Sequence, residues 1–262
     1  MPASDPRRRT AILALAAAAL AAVTVLAAWQ PWVRPSAPVA AGSGAVDLAG
    51  PAPLALSEGA RVLVFGDSWT YGSAATLPTE GYAYVLGALS GFDTTVLGVR
   101  GSGYLRAGID GPDFGTRITA LDPTLEPDLV IVQGSINDRA LGATGYRSAV
   151  NTAWDALAAT YPDARVVILG PAPHVLPVGK GTARIDRDLR ALAEARGWWY
   201  ISPVEEEWIT PSNYADVIDT GIGRNHPSSA GHAYLAERLA EALAERSATD
   251  ATTAQVSPDA SE

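Results

Sequence analysis

The chain has 262 residues, with 28 Asp and Glu against 19 Lys and Arg, and no cysteine. A net charge of -9 without a basic stripe in the body argues against nucleic acid as a partner. Absence of thiols excludes disulfides, thiolate metal sites and a lipidated N-terminal cysteine, and the three histidines, His174, His226 and His232, lack paired ligand spacing. Neither a metal nor any other cofactor is expected.

Arg7-Arg8-Arg9 precedes an apolar run over residues 11–29 whose only polar member is Thr24, and no charge recurs before Arg34. As a helix the run spans about 28 Å, close to a bilayer core. The positive flank belongs on the cytoplasmic side, which puts the remainder outside. Two readings stand: a single-pass signal anchor that tethers the chain to the cell membrane, or a cleaved secretory signal, whose apolar region is normally about 7 to 15 residues. Length favours the anchor, and Trp29 and Trp32 suit the interface. Either way the domain is exported.

Residues 31–57 are rich in Pro, Ala, Gly and Ser without apolar periodicity, a linker after the 1–30 tip and anchor. A folded domain is expected over 58–246, followed by a polar, aperiodic tail at 247–262. Within the domain, strands are predicted at 61–65, 94–99, 128–133, 165–170 and 198–202. Helices are predicted at 78–90, 145–161, 182–197 and 228–246; the last places Leu235, Leu239 and Leu243 on one stripe. Strand alternating with helix argues for an α/β fold, a parallel sheet covered on both faces.

The first strand runs into Gly66-Asp67-Ser68, a turn that leaves a hydroxyl at the strand's carboxyl end. Open α/β sheets place their chemistry there. A serine nucleophile needs a base, and His226, in Asn225-His226-Pro227-Ser228, sits on a loop at the entrance of the last helix. It also needs donors for an oxyanion. Asn137, in Gln133-Gly134-Ser135-Ile136-Asn137-Asp138, and the glycine-rich Gly98-Val99-Arg100-Gly101-Ser102-Gly103 each follow a predicted strand.

With these four segments in this order, the chain resembles the SGNH, or GDSL-type, hydrolases over about residues 61–243. Ser68 matches the nucleophile of the first block, Gly101 the glycine of the second, Asn137-Asp138 the Asn-Asp of the third and His226 the histidine of the last. The resemblance implies a three-layer α/β/α sandwich, flavodoxin-like, with a central parallel sheet of about five strands. It also implies ester hydrolysis through an acyl-enzyme: Ser68 attacks, His226 shuttles the proton, and the Ser68 and Gly101 amides with the Asn137 side chain hold the oxyanion. Asp67 and Asp138 would support their own loops.

Two departures from the family pattern stand out. Ser135 occupies the position two before the asparagine, where the family has glycine. The family's acid lies three before the histidine, and here that residue is Gly223. Asp219 is the first candidate for a displaced acid, with Asp216 and Glu205 as others. Without any acid, a backbone carbonyl or water would hold the ring in a Ser-His dyad.

Trp69, Tyr71 and Tyr104 adjoin the first two blocks and are candidates for the substrate rim, alongside a reading in which they cover the sheet edge. An exported serine esterase or deacylase acting on O-acetyl or other O-acyl groups of envelope carbohydrate is the leading expectation. An acyltransferase using the same acyl-enzyme and a non-catalytic envelope-binding module on the same fold are the alternatives.

Overall fold

The computed structural model describes residues 50–247. The expected membrane-spanning run, most of the linker and nearly all of the tail lie outside them. Among the described residues, no helix is long and apolar enough to cross a membrane.

Five strands form one sheet: β1 (Arg61–Gly66), β2 (Asp93–Gly98), β3 (Leu129–Gln133), β4 (Arg165–Leu169) and β5 (Trp199–Ile201). Their order is β2-β1-β3-β4-β5, and every neighbouring pair is parallel. The continuous apolar runs of β1, β3 and β4 follow from burial on both faces. Because side chains alternate along a strand, Val62 and Val64 enter one core while Leu63 and Phe65 enter the other.

Seven helices flank the sheet: α1 (Ser68–Tyr71), α2 (Tyr82–Ser90), α3 (Phe114–Thr119), α4 (Tyr146–Thr160), α5 (Lys180–Glu194), α6 (Tyr214–Val217) and α7 (Ser229–Ser247). On the Val62 face, Leu86 of α2 and Leu235, Leu239 and Leu243 of α7 complete the core. On the Leu63 face the partners are Phe114 and Ile118 of α3, Val150, Trp154 and Leu157 of α4, and Ile185 and Leu189 of α5. This is the expected three-layer α/β/α arrangement.

All five predicted strands and four long helices are present, with ends displaced by a few residues; α5, for instance, starts at Lys180 and ends at Glu194. The short helices α1, α3 and α6 escaped the pattern because one or two turns carry too little periodicity. Packing also begins ahead of residue 58. Leu54 is fully buried, its amide donates to the Arg246 carbonyl at 3.1 Å, and the Trp199 indole donates to the Ala52 carbonyl at 2.9 Å.

The chain leaves β1 for β2 on one side and returns to β3 on the other. That reversal opens a crevice at the carboxyl ends of β1 and β3. Ser68 follows β1, Gly101 follows β2 and Asn137 follows β3.

Candidate active site

Asp67 starts α1 by accepting the Trp69 N–H on Oδ1 at 3.0 Å, the bond that turns the chain out of β1. Ser68 therefore lies in the first turn of the helix, where the backbone N–H has no intrahelical partner. The Ser68 side chain is buried except for its opening onto the cleft, and its Oγ lies 2.9 Å from Nε2 of His226. The other ring nitrogen, Nδ1, lies 2.7 Å from the Gly223 carbonyl oxygen. A carbonyl can only accept, so Nδ1 carries the proton and donates it. Nε2 is then left with a lone pair aimed at the Ser68 hydroxyl.

The residue behind the ring is therefore a peptide carbonyl, and the expectation of Asp219 in that place is corrected. Asp219 ends β6 (Ile218–Asp219), which pairs antiparallel with β7 (His226–Pro227), so Asp219 stands directly opposite His226 in a small hairpin. Its carboxylate makes no hydrogen bond to the imidazole, whose two nitrogens meet Ser68 and the Gly223 carbonyl. Oδ1 accepts the Gly221 N–H at 2.8 Å and Oδ2 the Gly223 N–H at 3.0 Å, while its own carbonyl accepts the Asn225 N–H at 2.8 Å. These bonds fold the loop that presents the Gly223 carbonyl. They also explain the glycine: a Cβ at 223 would lie 2.7 Å from both the Asp219 Cβ and the Ala74 Cβ. A side chain at 223 and the Asp219 carboxylate compete for one space.

Across the cleft, Gly101 has φ of +77°, a left-handed conformation suited to glycine. Its N–H has no hydrogen-bond partner among the described residues. Asn137 donates one Nδ2 proton to the Ser102 carbonyl at 2.9 Å, which orients the amide and leaves its second proton available. Ser68, Gly101, Asn137 and His226 all line one open cleft of about 850 Å³. Three donors and a hydroxyl–imidazole pair facing one space are what addition to an acyl carbon requires.

Two buried carboxyl groups sit beneath these donors. Asp138 accepts the Tyr104 N–H at 2.7 Å and the Leu105 N–H at 3.3 Å, so it ties the Gly103 loop to Asn137 and supports more than its own segment. Burial pushes it up to about 6, against the opposing pull of those two amides. Asp67 is pushed up to about 7, chiefly by complete burial, and its Oδ2 has no hydrogen-bond partner.

Sequence reasoning missed Arg117. From α3 its guanidinium donates to the Gly66 carbonyl at 2.9 Å, the Ser102 hydroxyl at 3.0 Å and the Leu97 carbonyl at 2.6 Å, and it covers the Phe65 ring at 4.1 Å. It joins the ends of β1 and β2, and so holds Ser68 and Gly101 in register. Its segment lacked periodicity, and a lone arginine there gave no signal. Ser135 takes glycine's place in the family pattern with φ of +65°, and its hydroxyl meets the Tyr146 hydroxyl at 2.5 Å. That bond offsets the roughly 1 kcal/mol cost of left-handed backbone.

Of the aromatic candidates, Tyr71 lines the cleft and is 37% exposed. Trp69 and Tyr104 do not reach it and are corrected to core residues. Trp69 packs with Tyr82 and Leu235, and Tyr104 packs on Phe114 with its hydroxyl accepting from the Trp154 indole at 2.6 Å. Trp208 is likewise buried. His232 is structural: Nδ1 accepts the Tyr82 N–H at 3.2 Å, so Nε2 donates to the Ser73 carbonyl at 3.1 Å. Burial lowers its pKa to about 4. Among the described residues, no group of three or more His, Asp or Glu side chains is arranged to hold a metal ion.

The fold is shared by known proteins. A protein from Desulfitobacterium hafniense assigned to the G-D-S-L family of lipolytic proteins superposes with a TM-score of 0.57 at 16% identity, over 70% of this chain and 98% of its own. A carbohydrate acetylesterase family member from Sinorhizobium meliloti gives 0.55 at 16% identity, over 72% and 99%. A family two carbohydrate esterase from Clostridium thermocellum, solved with cellohexaose, gives 0.56 at 19% identity, over 75% and 66%. No curated protein matches the chain by sequence. The model of the GDSL-like lipase/acylhydrolase family matches residues 64–234, which is more than half of the chain and contains all four site segments. The chain thus belongs to the GDSL-like lipase/acylhydrolase family and is an ester-hydrolysing enzyme of it.

Proposed function

We propose that this enzyme is an exported serine esterase that removes O-acyl groups from carbohydrate, with Ser68 as nucleophile and a Ser68–His226 dyad held by the Gly223 carbonyl. The observation that carries the catalytic assignment is the pair of bonds made by one imidazole, 2.9 Å to the Ser68 hydroxyl and 2.7 Å to that carbonyl. Together they fix the basic nitrogen on the serine.

In the first half-reaction, Ser68 Oγ forms a bond to the acyl carbon as its proton passes to His226 Nε2. Negative charge gathers on the former carbonyl oxygen, where the Ser68 and Gly101 amides and the free Asn137 proton meet it. The imidazolium donates its proton to the alkoxy oxygen, the C–O bond breaks and the alcohol leaves. Water then repeats the sequence on the acyl-enzyme, giving a carboxylic acid and free Ser68. A carbonyl carries no full charge to stabilise the imidazolium, so the loop must do it by orientation and dipole alone.

Carbohydrate as the alcohol portion is supported by the open cleft and by the carbohydrate esterases among the structural neighbours. Export and membrane tethering are supported by the basic-flanked apolar run of residues 11–29. The direct test is hydrolysis of 4-nitrophenyl acetate and acetylated sugars by the full-length protein. Loss of turnover and of fluorophosphonate labelling in Ser68→Ala is expected, and turnover unchanged in that variant would sink the catalytic assignment. For location, the protein should fractionate with membranes of the producing cell and be cleaved by protease added outside; protection from that protease would reject export.

A further inference from the structure

Resting on the esterase reading, the charge around the cleft narrows the substrate. The chain as a whole carries a net charge of -9, yet this cleft is lined by four arginines, Arg100, Arg106, Arg139 and Arg224, against a single carboxylate, Asp219. That carboxylate is already taken by two backbone amides. Two of the arginines are engaged: Arg100 forms a bidentate pair with Asp110 at 2.5 and 2.9 Å, and Arg139 donates to the Ile136 carbonyl at 3.1 Å.

Arg106 and Arg224 are different. Both are exposed, and neither guanidinium has a hydrogen-bond or ion-pair partner among the described residues, although the Arg106 charge acts at longer range on the buried Asp138. Their backbones are nonetheless fixed, the Arg106 carbonyl accepting the Gly103 N–H at 2.9 Å and the Arg224 N–H donating to the Gly221 carbonyl at 3.2 Å. Arg106 belongs to the loop that supplies Gly101, and Arg224 to the loop that supplies Gly223 and His226. The cleft is thus lined by a guanidinium without a hydrogen-bond or ion-pair partner from each of the two loops that build it. Arg224 also holds φ of +51°, followed by Asn225 at +64°. Two consecutive non-glycine residues in the left-handed region carry strain of a kind that persists where the position matters.

We propose that the cleft takes an O-acyl ester on an anionic carbohydrate, with carboxylate or phosphate groups beside the ester meeting Arg106 and Arg224. Guanidinium forks match both oxyacids in bidentate geometry. Binding would relieve the repulsion among the arginines of the rim that no carboxylate pairs.

The test uses three acetyl esters of one sugar: a neutral methyl 3-O-acetyl-glucoside, the corresponding glucuronide, and the 6-phosphate. At low salt, kcat/KM should be about fivefold higher for the charged esters, the upper end expected from one exposed ion pair, and it should shrink toward unity at about 0.5 M salt. Glucuronide against phosphate identifies which oxyacid is preferred. In Arg106→Gln/Arg224→Gln the ratio of charged to neutral kcat/KM should collapse. Equal kcat/KM for all three esters, or a preference that survives the double substitution, would overturn the proposal. Turnover of 4-nitrophenyl acetate separates this from failure of the esterase reading. If none of the three sugars is turned over, calorimetric binding to Ser68→Ala protein decides: tighter binding of the charged esters supports the proposal, and equal or absent binding refutes it.

Discussion

The two halves of the dyad are held in different ways. Ser68 follows a strand that is apolar and buried from Val62 to Phe65, its helix is capped by a buried aspartate, and Arg117 clamps the strand end from the neighbouring layer. His226 hangs from a hairpin only two residues long on each side, whose tip exposes Ile222 almost completely and whose order comes from one carboxylate and a few backbone bonds. The proposed nucleophile is positioned by the sheet and the proposed base by its own loop. Tolerance to substitution should therefore differ between the sides, and activity should be lost from the histidine side without unfolding the domain.

The largest effect expected from a change beside the dyad is on the sheet-supported side. Asn137→Ala removes an oxyanion donor and should lower kcat about 10²- to 10³-fold with little change in KM, measured by steady-state kinetics on 4-nitrophenyl acetate. Gly223→Ala comes next. Its methyl group meets Asp219 and Ala74, so the loop must shift and the carbonyl leaves the ring; a loss of roughly ten- to a hundredfold in kcat is expected, with the thermal midpoint nearly unmoved. Moving the acid sharpens this. Gly223→Asp alone should be crippled by the same crowding, while Gly223→Asp with both Asp219→Gly and Ala74→Gly removes the two contacts and should recover activity above that single variant.

Asp219→Asn is smaller again. If the carboxylate only folds the loop, kcat should fall less than about tenfold, far short of the roughly 10⁴-fold loss that follows removal of a carboxylate bonded directly to a catalytic histidine. A triad-sized loss would restore Asp219 as a participant in the proton transfer.

The smallest effect concerns stability against pH. Burial raises Asp67 from about 3.8 in the unfolded chain to about 7. Between these values the unfolded chain has lost the proton that the folded chain keeps, so stability is fully present below about 4 and is lost as pH rises toward 7. Asp138 acts in the same sense up to about 6. In Asp67→Asn the fall in thermal midpoint between pH 4 and pH 7.5 should be shallower than in the wild type; an unchanged slope would remove Asp67 as its source.

Much of this was legible in the sequence, for a physical reason. Continuous apolar strands and long amphipathic helices carry their own periodicity; the strand ends delivered Ser68, Gly101 and Asn137 as short motifs, and the entrance of the last helix delivered His226. What escaped depended on contacts between distant segments. Nothing local distinguishes Arg117 from a surface arginine, and adjacency to a motif placed Trp69 and Tyr104 at the rim although their rings turn inward. The acid was the hardest case: sequence spacing brings Asp219 near His226, but which way its carboxylate faces is decided by two glycine amides.

The position of Leu54 has a further consequence. Its amide meets Arg246 near the end of α7, while the beginning of α7 lies just after His226. The helix's nineteen residues span about 28 Å. The described domain therefore receives and releases its chain at one pole and meets its substrate at the other. Anything joined at residue 50 or residue 247, whether a fused reporter or a solid support, would leave the mouth of the cleft facing outward and unobstructed.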